Sequence, residues 1–455
     1  MKHYDVIVIG SGSGALISDE ATSRGLRVAL VDKGPLGGTC LNVGCIPSKM
    51  LIYPADRIVE IQEATKFGIH AEIRDIEFNL IMDRMRQSIA ESQGHIREGI
   101  AETQNLDFYE AEGRFVDDYT MEVNGTRIRG DNIVIASGSR IFIPPIKGLD
   151  GIDYLTNESA LQLRTRPESL LIIGGGYIAV EYGHFFAAMG TKVTILEMAD
   201  RLVLSEEPEL AHVLQMELGK RMEIHTNAQA REVQARGEGV VVVATDGATG
   251  KQIELTAQKL MVAVGRRSNA DLLDVEKTGV ETDEKGYVKV NKYLETSRKN
   301  IFAVGDANGR YMFTHVANKE AAVLAENLFY GGDVAMDYGA IPHAVYSYPQ
   351  IASVGMTEEG AMKQHVISVS RVKYWDIAKG EAMMEKVGYA KAILQKDNRQ
   401  ILGFHIIGPY APVLVQEVVN AMTSGGHVDA INEGIHIHPA LSELVPITVN
   451  SIEEQ

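Results

Sequence analysis

Residues 4–15 read YDVIVIGSGSGA, an apolar and β-branched run followed by glycines at positions 10, 12 and 14 and then Ala15. A short apolar run bounded by glycine reads as a buried strand, and a helical stretch to about Arg24 and a second strand over residues 27–32 follow it. The chain repeats this arrangement. Residues 169–173 (SLLII) lead into Gly174-Gly175-Gly176-Tyr177-Ile178-Ala179, a helix to about Met189 and a strand over residues 192–197. Each unit is strand, glycine turn, helix and strand, closed by an acid: Asp32 stands 22 residues after Gly10, and Glu197 stands 23 after Gly174. Gly10 and Gly174 make the turns, while Gly12 and Gly176 let the backbone approach a pyrophosphate. Ala15 and Ala179 let the helix pack on the strand, the helix N-terminus holds phosphate, and the acid takes a ribose hydroxyl. One glycine motif is a weak signal. Two complete units with terminal acids predict an α/β chain with two Rossmann-type domains and two bound dinucleotides.

Composition bounds the rest. At 455 residues the chain is long enough for about three domains. Its 45% hydrophobic and 23% charged residues are ordinary for a globular protein. A net charge of −17 argues against nucleic acid or an anionic membrane surface as a main partner. No apolar run approaches the ~20 residues that span a bilayer, and the apolar core of residues 5–10 is too short for a signal peptide. The expected location is the cytoplasm, where a cysteine pair is more often catalytic or metal-binding than structural.

The chain has two cysteines, five residues apart, within GGTCLNVGCIPSK (residues 37–49). Residues five apart on an ideal helix are ~140° out of phase, so joining Cys40 to Cys45 needs a distorted turn. Asn42, Gly44 and Pro47 make such a distortion plausible. A zinc site is excluded, because no further cysteine or nearby histidine completes four ligands; no metal is expected elsewhere. On spacing alone the cysteines are either a redox pair or two unrelated buried thiols. The glycine-rich lead-in and the adjoining dinucleotide unit favour the pair, and cysteines near a helix start form thiolates easily.

This stretch resembles the active-site helix of the class I pyridine nucleotide–disulfide oxidoreductases. The likeness continues through GGGYIAVE (174–181), AVGRRSN (263–269), FAVGDAN (302–308), YPQIASVG (348–355) and HIHPALSE (436–443). The resemblance implies a Cys40–Cys45 redox disulfide, with Cys45 against a flavin and Cys40 as the interchange sulfur that meets substrate. It implies an ion pair of Lys49 and Glu181 beside the flavin, Asp306 on the ribityl chain, and Gly113 against the adenine. Gly38, Thr39, Gly138, Phe313 and Thr314 complete the FAD residues, and a helix beginning near His315 aims its positive end at the flavin. The nicotinamide dinucleotide falls to Gly174, Gly176, Tyr177, Ile178, Glu181, Glu197 and Gly265, with Tyr177 expected either to gate the nicotinamide or to pack on its helix.

The histidine before Pro439 matches the family's catalytic acid–base. His438 would move thiol protons and Glu443 would orient it, with His436 in support. In the family this segment serves the other subunit's redox pair, which implies a homodimer. Ala440 stands where threonine is common, and Asp32 where glutamate is common; neither changes the reaction class.

Glu197 suits the 2′-hydroxyl of NAD and repels the 2′-phosphate of NADP, and the one nearby cation, Arg201, is offset by Asp200, so NAD(H) is expected over NADP(H). CIPSK with an NAD-type acid fits a dihydrolipoyl dehydrogenase, oxidising dihydrolipoamide with NAD+. The substrate would then be a lipoyl group, either small or tethered within a 2-oxoacid dehydrogenase complex. GRRSNADLL (265–273), THVANKEA (314–321), YWDIAKGEAM (374–383) and MLIYPAD (50–56) instead resemble mycothione reductase, so a low-molecular-weight disulfide reductase is the alternative. A non-catalytic flavoprotein subunit is the third reading, disfavoured by intact Cys40, Cys45, His438 and Glu443. The motifs divide the chain into an FAD domain (1–145 and 266–335), an NAD domain (146–265) and an α+β interface domain (336–455).

Overall fold

The computed structural model describes residues 1–451. Its backbone groups into two compact units, one of Met1–Ser48, Met82–Phe142 and Gly265–Asp337, the other of Lys49–Ile81, Ile143–Val264 and Tyr338–Gln455.

The first unit is built on strand Lys2–Ile9, whose residues Val6–Val8 are fully buried. A strand flanked by parallel neighbours and covered on both faces must be apolar throughout, which is why VIVI does not alternate. It pairs in parallel with Val28–Asp32 on one side and Thr126–Ile135 on the other, and Leu106–Glu110 and Ile301–Ala303 extend the parallel sheet. Strands Gly113–Asp117 and Thr120–Val123 turn back antiparallel from its edge. Helix Gly14–Ser23 follows the glycine turn, as the sequence predicts.

The second unit repeats the motif. Strands Glu223–His225, Lys192–Leu196, Ser169–Ile173 and Lys259–Val262 form a parallel sheet in that order, with helix Tyr177–Ala188 after the glycine turn. The two turns share one geometry. Gly10 has φ +108° and Gly174 φ +113°, and a Cβ at either would lie 2.2 or 2.3 Å from the carbonyl oxygen of Ala136 or Ala263. Only glycine fits both demands. A three-stranded antiparallel sheet, Ala228–Arg236, Gly239–Asp246 and Gln252–Ala257, stands beside the motif in the chain.

The C-terminal part of this unit is a five-stranded antiparallel sheet, ordered Pro342–Val345, Ile351–Gly355, Ile401–Ile407, Tyr389–Gln395 and Ile367–Lys373. Leu414, Val415 and Val418 of helix Ala411–Thr423, with Leu444, Val445 and Val449 of helix Leu444–Asn450, complete its core. The fold is thus two Rossmann-type domains and a C-terminal α+β domain. Lys391, only 1% exposed, ties this sheet to the segment after strand Lys192–Leu196: its ammonium reaches Glu207 at 2.8 Å, Glu358 at 2.6 Å and also Glu209. A buried ammonium needs such carboxylates, because desolvation alone would expel it. Among the described residues, no helix is long and apolar enough to cross a membrane.

Candidate active site

The cysteines sit on two different helices. Cys40 belongs to the short helix Gly38–Asn42, and Cys45 opens helix Cys45–Glu63. Between them the chain is held by Asn42, whose amide nitrogen donates to the carbonyls of Leu36 and Gly38, each at 2.8 Å, while Gln93 donates to its oxygen at 2.5 Å. A Cβ at Gly44 would lie 2.9 Å from the Thr39 carbonyl oxygen, so the bend closes tightly there. The distortion read from Asn42 and Gly44 is real; Pro47 sits in the first turn of the second helix, where a missing N–H costs nothing. Cys40 is half-buried and Cys45 exposed. Cys45 Sγ lies 3.6 Å from the hydroxyl of Thr314, the first residue of helix Thr314–Tyr330. Cys45 therefore meets the positive ends of two helices, its own and this one, a setting that favours a sulfur anion.

The residues expected to hold a dinucleotide lie around each glycine turn. Asp32 accepts from the N–H of Ser11 at 2.6 Å and of Gly34 at 2.8 Å, one bond to each oxygen, which fixes the carboxylate and leaves lone pairs for a ribose. Nothing but Gly38 Cα, at 3.7 Å, stands where a Cβ of Gly12 would be, and the space before Gly138 is open. Asp306 accepts from Ser139 at 2.5 Å, with Arg266 at 3.8 Å. Phe313 stacks on His315 at 5.4 Å between centroids, fixing the start of the helix. Thr39 lies in the helix of Cys40, and Gly113 opens a strand against Val31 and Val123. This set fits FAD.

In the second unit no atom stands within 4 Å of a Cβ built at Gly176 or Gly265. Tyr177 and Ile178 form the first turn of their helix. The stem of Glu197 packs on Gly175, and its carboxylate accepts from the N–H of Ala199 at 2.7 Å. Arg201 is taken up by Asp200 at 3.2 Å. These residues fit a pyridine dinucleotide.

Two further pairs assemble in the second unit. Lys49 Nζ lies 2.9 and 3.1 Å from the two carboxylate oxygens of Glu181, which is 6% exposed. Tyr346, which the sequence did not single out, donates its N–H to Glu181 at 3.0 Å and sets its ring 4.3 Å from the ammonium. His438 Nδ1 lies 2.8 Å from Glu443 Oε1, and Glu443 Oε2 accepts from Ala440 N–H at 2.9 Å. Both bonds, that of His438 first, hold Glu443 below the usual carboxylate range. A carboxylate can only accept, so Nδ1 carries a proton toward Glu443, and His438 is 72% exposed at its side chain. His436 is held apart, 2.6 Å from Glu417.

Comparison with known proteins follows the same span. A family model described as pyridine nucleotide-disulphide oxidoreductase matches residues 4–321, and that family's dimerisation domain matches residues 341–448. Mycothione reductase of Mycobacterium tuberculosis is 36% identical over 461 residues, covering 98% of each chain. Dihydrolipoyl dehydrogenase of Geobacillus stearothermophilus is 36% identical over 453 residues, covering 97% of this chain and 94% of the relative. Among solved structures, the HOCl-induced flavoprotein disulfide reductase RclA from Escherichia coli superposes with a TM-score of 0.87 at 27% identity, over 98% of this chain and 99% of that one. With both dinucleotide motifs and the C-terminal domain matched, the chain belongs to the pyridine nucleotide–disulfide oxidoreductases, enzymes that use FAD and NAD(P)H.

Proposed function

We propose that the chain is an NAD(H)-linked dithiol/disulfide oxidoreductase of the dihydrolipoyl dehydrogenase type, working as a homodimer. The observation that carries it is the nucleotide end of strand Lys192–Leu196. There Glu197 is fixed by Ala199 N–H, and Arg201, four residues on, is paired with Asp200. A 2′-phosphate would meet the Glu197 carboxylate, whereas a ribose hydroxyl would find an acceptor there.

Bound FAD supplies the electron relay between the sulfur pair and the nicotinamide. The protein's own groups do the rest. His438 of one subunit takes the proton from a substrate thiol at Nε2 while Glu443 steadies the imidazolium. The substrate thiolate then attacks Cys40, its S–S bond to Cys45 breaks, and Cys45 leaves as the thiolate that the two helix ends favour. The second substrate thiol, its proton released to solvent, displaces Cys40, which leaves with the proton held by His438; the product disulfide closes and two electrons have moved to the Cys40–Cys45 pair. The Lys49–Glu181 pair sets the charge beside the flavin.

A low-molecular-weight disulfide reductase of the mycothione type is the second reading, favoured by a likeness that spans 98% of each chain. Steady-state rates with NADH and NADPH, against lipoamide, mycothione and glutathione disulfide, separate the two. NADH preference with lipoamide is expected; strong NADPH preference, or turnover of mycothione alone, overturns the lipoyl assignment.

A further inference from the structure

Three residues after Glu181, helix Tyr177–Ala188 buries a histidine completely: His184 is 0% exposed. Its Nε2 lies 2.8 Å from the carboxylate of Asp56 on helix Cys45–Glu63, and its Nδ1 lies 3.3 Å from Arg221 Nη1. A guanidinium can only donate, so Nδ1 accepts, and the Nε2 proton points at Asp56. Burial pushes the imidazole below its ordinary pKa, in keeping with this neutral, single-proton form. Arg221 also donates to the Tyr348 carbonyl, and the Tyr348 ring stacks on His184 with centroids 6.2 Å apart and planes 23° apart.

Placement gives the contact its meaning. Asp56 follows Lys49 by seven residues and His184 follows Glu181 by three, so each pair shares one helix face. The same two helices are therefore joined twice, by Lys49–Glu181 and by Asp56–His184. Residues 346–348 brace both joints, through Tyr346 N–H on Glu181 and the Tyr348 carbonyl on Arg221. Packing alone does not call for imidazole between Phe185 and the rest of an apolar helix, since a buried polar ring costs free energy unless both nitrogens are satisfied.

We infer that His184 is a positioning residue, which through Asp56 and Arg221 fixes the rotation of helix Tyr177–Ala188 so that Glu181 stays on Lys49. This rests on the proposed role of the Lys49–Glu181 pair beside the flavin. The test compares His184→Ala, His184→Gln, Asp56→Asn and Glu181→Gln in the holoenzyme. It reads hydride transfer from NADH by stopped flow, KM for NADH, the long-wavelength absorbance of the two-electron-reduced enzyme, and thermal melting. H184A is expected to slow hydride transfer by about 10- to 100-fold, the cost of a misplaced reacting geometry, with KM unchanged and the absorbance moved in the direction E181Q moves it. H184Q, whose amide can donate to Asp56 and accept from Arg221, restores both. D56N gives the same direction of change should H184A fail to fold. If E181Q moves these signals while folded H184A and D56N lower only the melting temperature, the role of His184 is overturned. If E181Q leaves them unmoved, the proposed role of the ion pair falls, and that of His184 with it.

Discussion

In the proposed function Cys45 and His438 would carry chemistry through different kinds of neighbour, and substitutions should separate them. At Cys45 the neighbours are two helix ends and the Thr314 hydroxyl at 3.6 Å. Cys45→Ser should abolish the long-wavelength absorbance of the two-electron-reduced enzyme; a band that survives in its spectrum means that Cys45 is not the sulfur against the flavin. At His438 the neighbour is Glu443, 2.8 Å away. His438→Gln should lower the dihydrolipoamide oxidation rate by about 10²–10⁴-fold, the usual worth of a positioned acid–base, and Glu443→Gln by less, because the ring remains. Steady-state rates across pH check both. His438 and Glu443 stand five residues apart on one local segment, yet it is the resemblance that singles them out, since a histidine before a proline carries no mark of its own. Lys49 and Glu181, 132 residues apart, are likewise legible through resemblance, and His184, Asp56 and Arg221 not at all. A histidine inside an apolar helix carries no local mark of what its two nitrogens touch.

Asn42 ends helix Gly38–Asn42 just before the break to helix Cys45–Glu63, and its amide reaches back to the carbonyls of Leu36 and Gly38, tying the short helix to the chain that leads into it. Asn42 is 6% exposed, so water cannot readily replace it. Asn42→Ala should destabilise the protein by about 1–3 kcal/mol, the penalty for buried groups left without partners, read as a lower urea midpoint. The sequence made this break legible through Asn42 and Gly44, and both glycine motifs to within a residue or two, because backbone geometry there depends on residue type. Side-chain patterning served less well for strands Ala228–Arg236 and Gln252–Ala257. Their outer residues, such as Gln229, Arg231 and Glu254, are polar, so neither strand stands out as an apolar run. Their pairing with Gly239–Asp246 is a tertiary fact.

Across the second unit, the buried Lys391 holds Glu207, Glu209 and Glu358 together, with Arg371 beside Glu209 at 2.8 Å. Burial opposes ionisation of Glu209, but hydrogen bonds from Arg371 and Lys391 win and bring its pKa down to about 2. A carboxylate depressed in the folded state stabilises above its unfolded pKa and loses that contribution as pH falls through the folded one. Resistance to urea should therefore decline as pH drops from about 4.5 toward 2, and more shallowly in Glu209→Gln. Lys391→Met should cost about 3–5 kcal/mol at neutral pH by leaving Glu207 buried without its partner, measured by chemical denaturation. The division into units has a further consequence, for synthesis. Each unit is assembled from three separate stretches, and the first takes its last stretch from Gly265–Asp337. A ribosome adding about 5–20 residues per second delivers that stretch only after roughly 20–70 s. Until then strand Thr126–Ile135 lacks Ile301–Ala303 along its Ile133–Ile135 edge, leaving an unpaired apolar edge open to neighbouring nascent chains. Growth at high expression should thus depend on chaperone capacity more than the stability of the finished protein suggests.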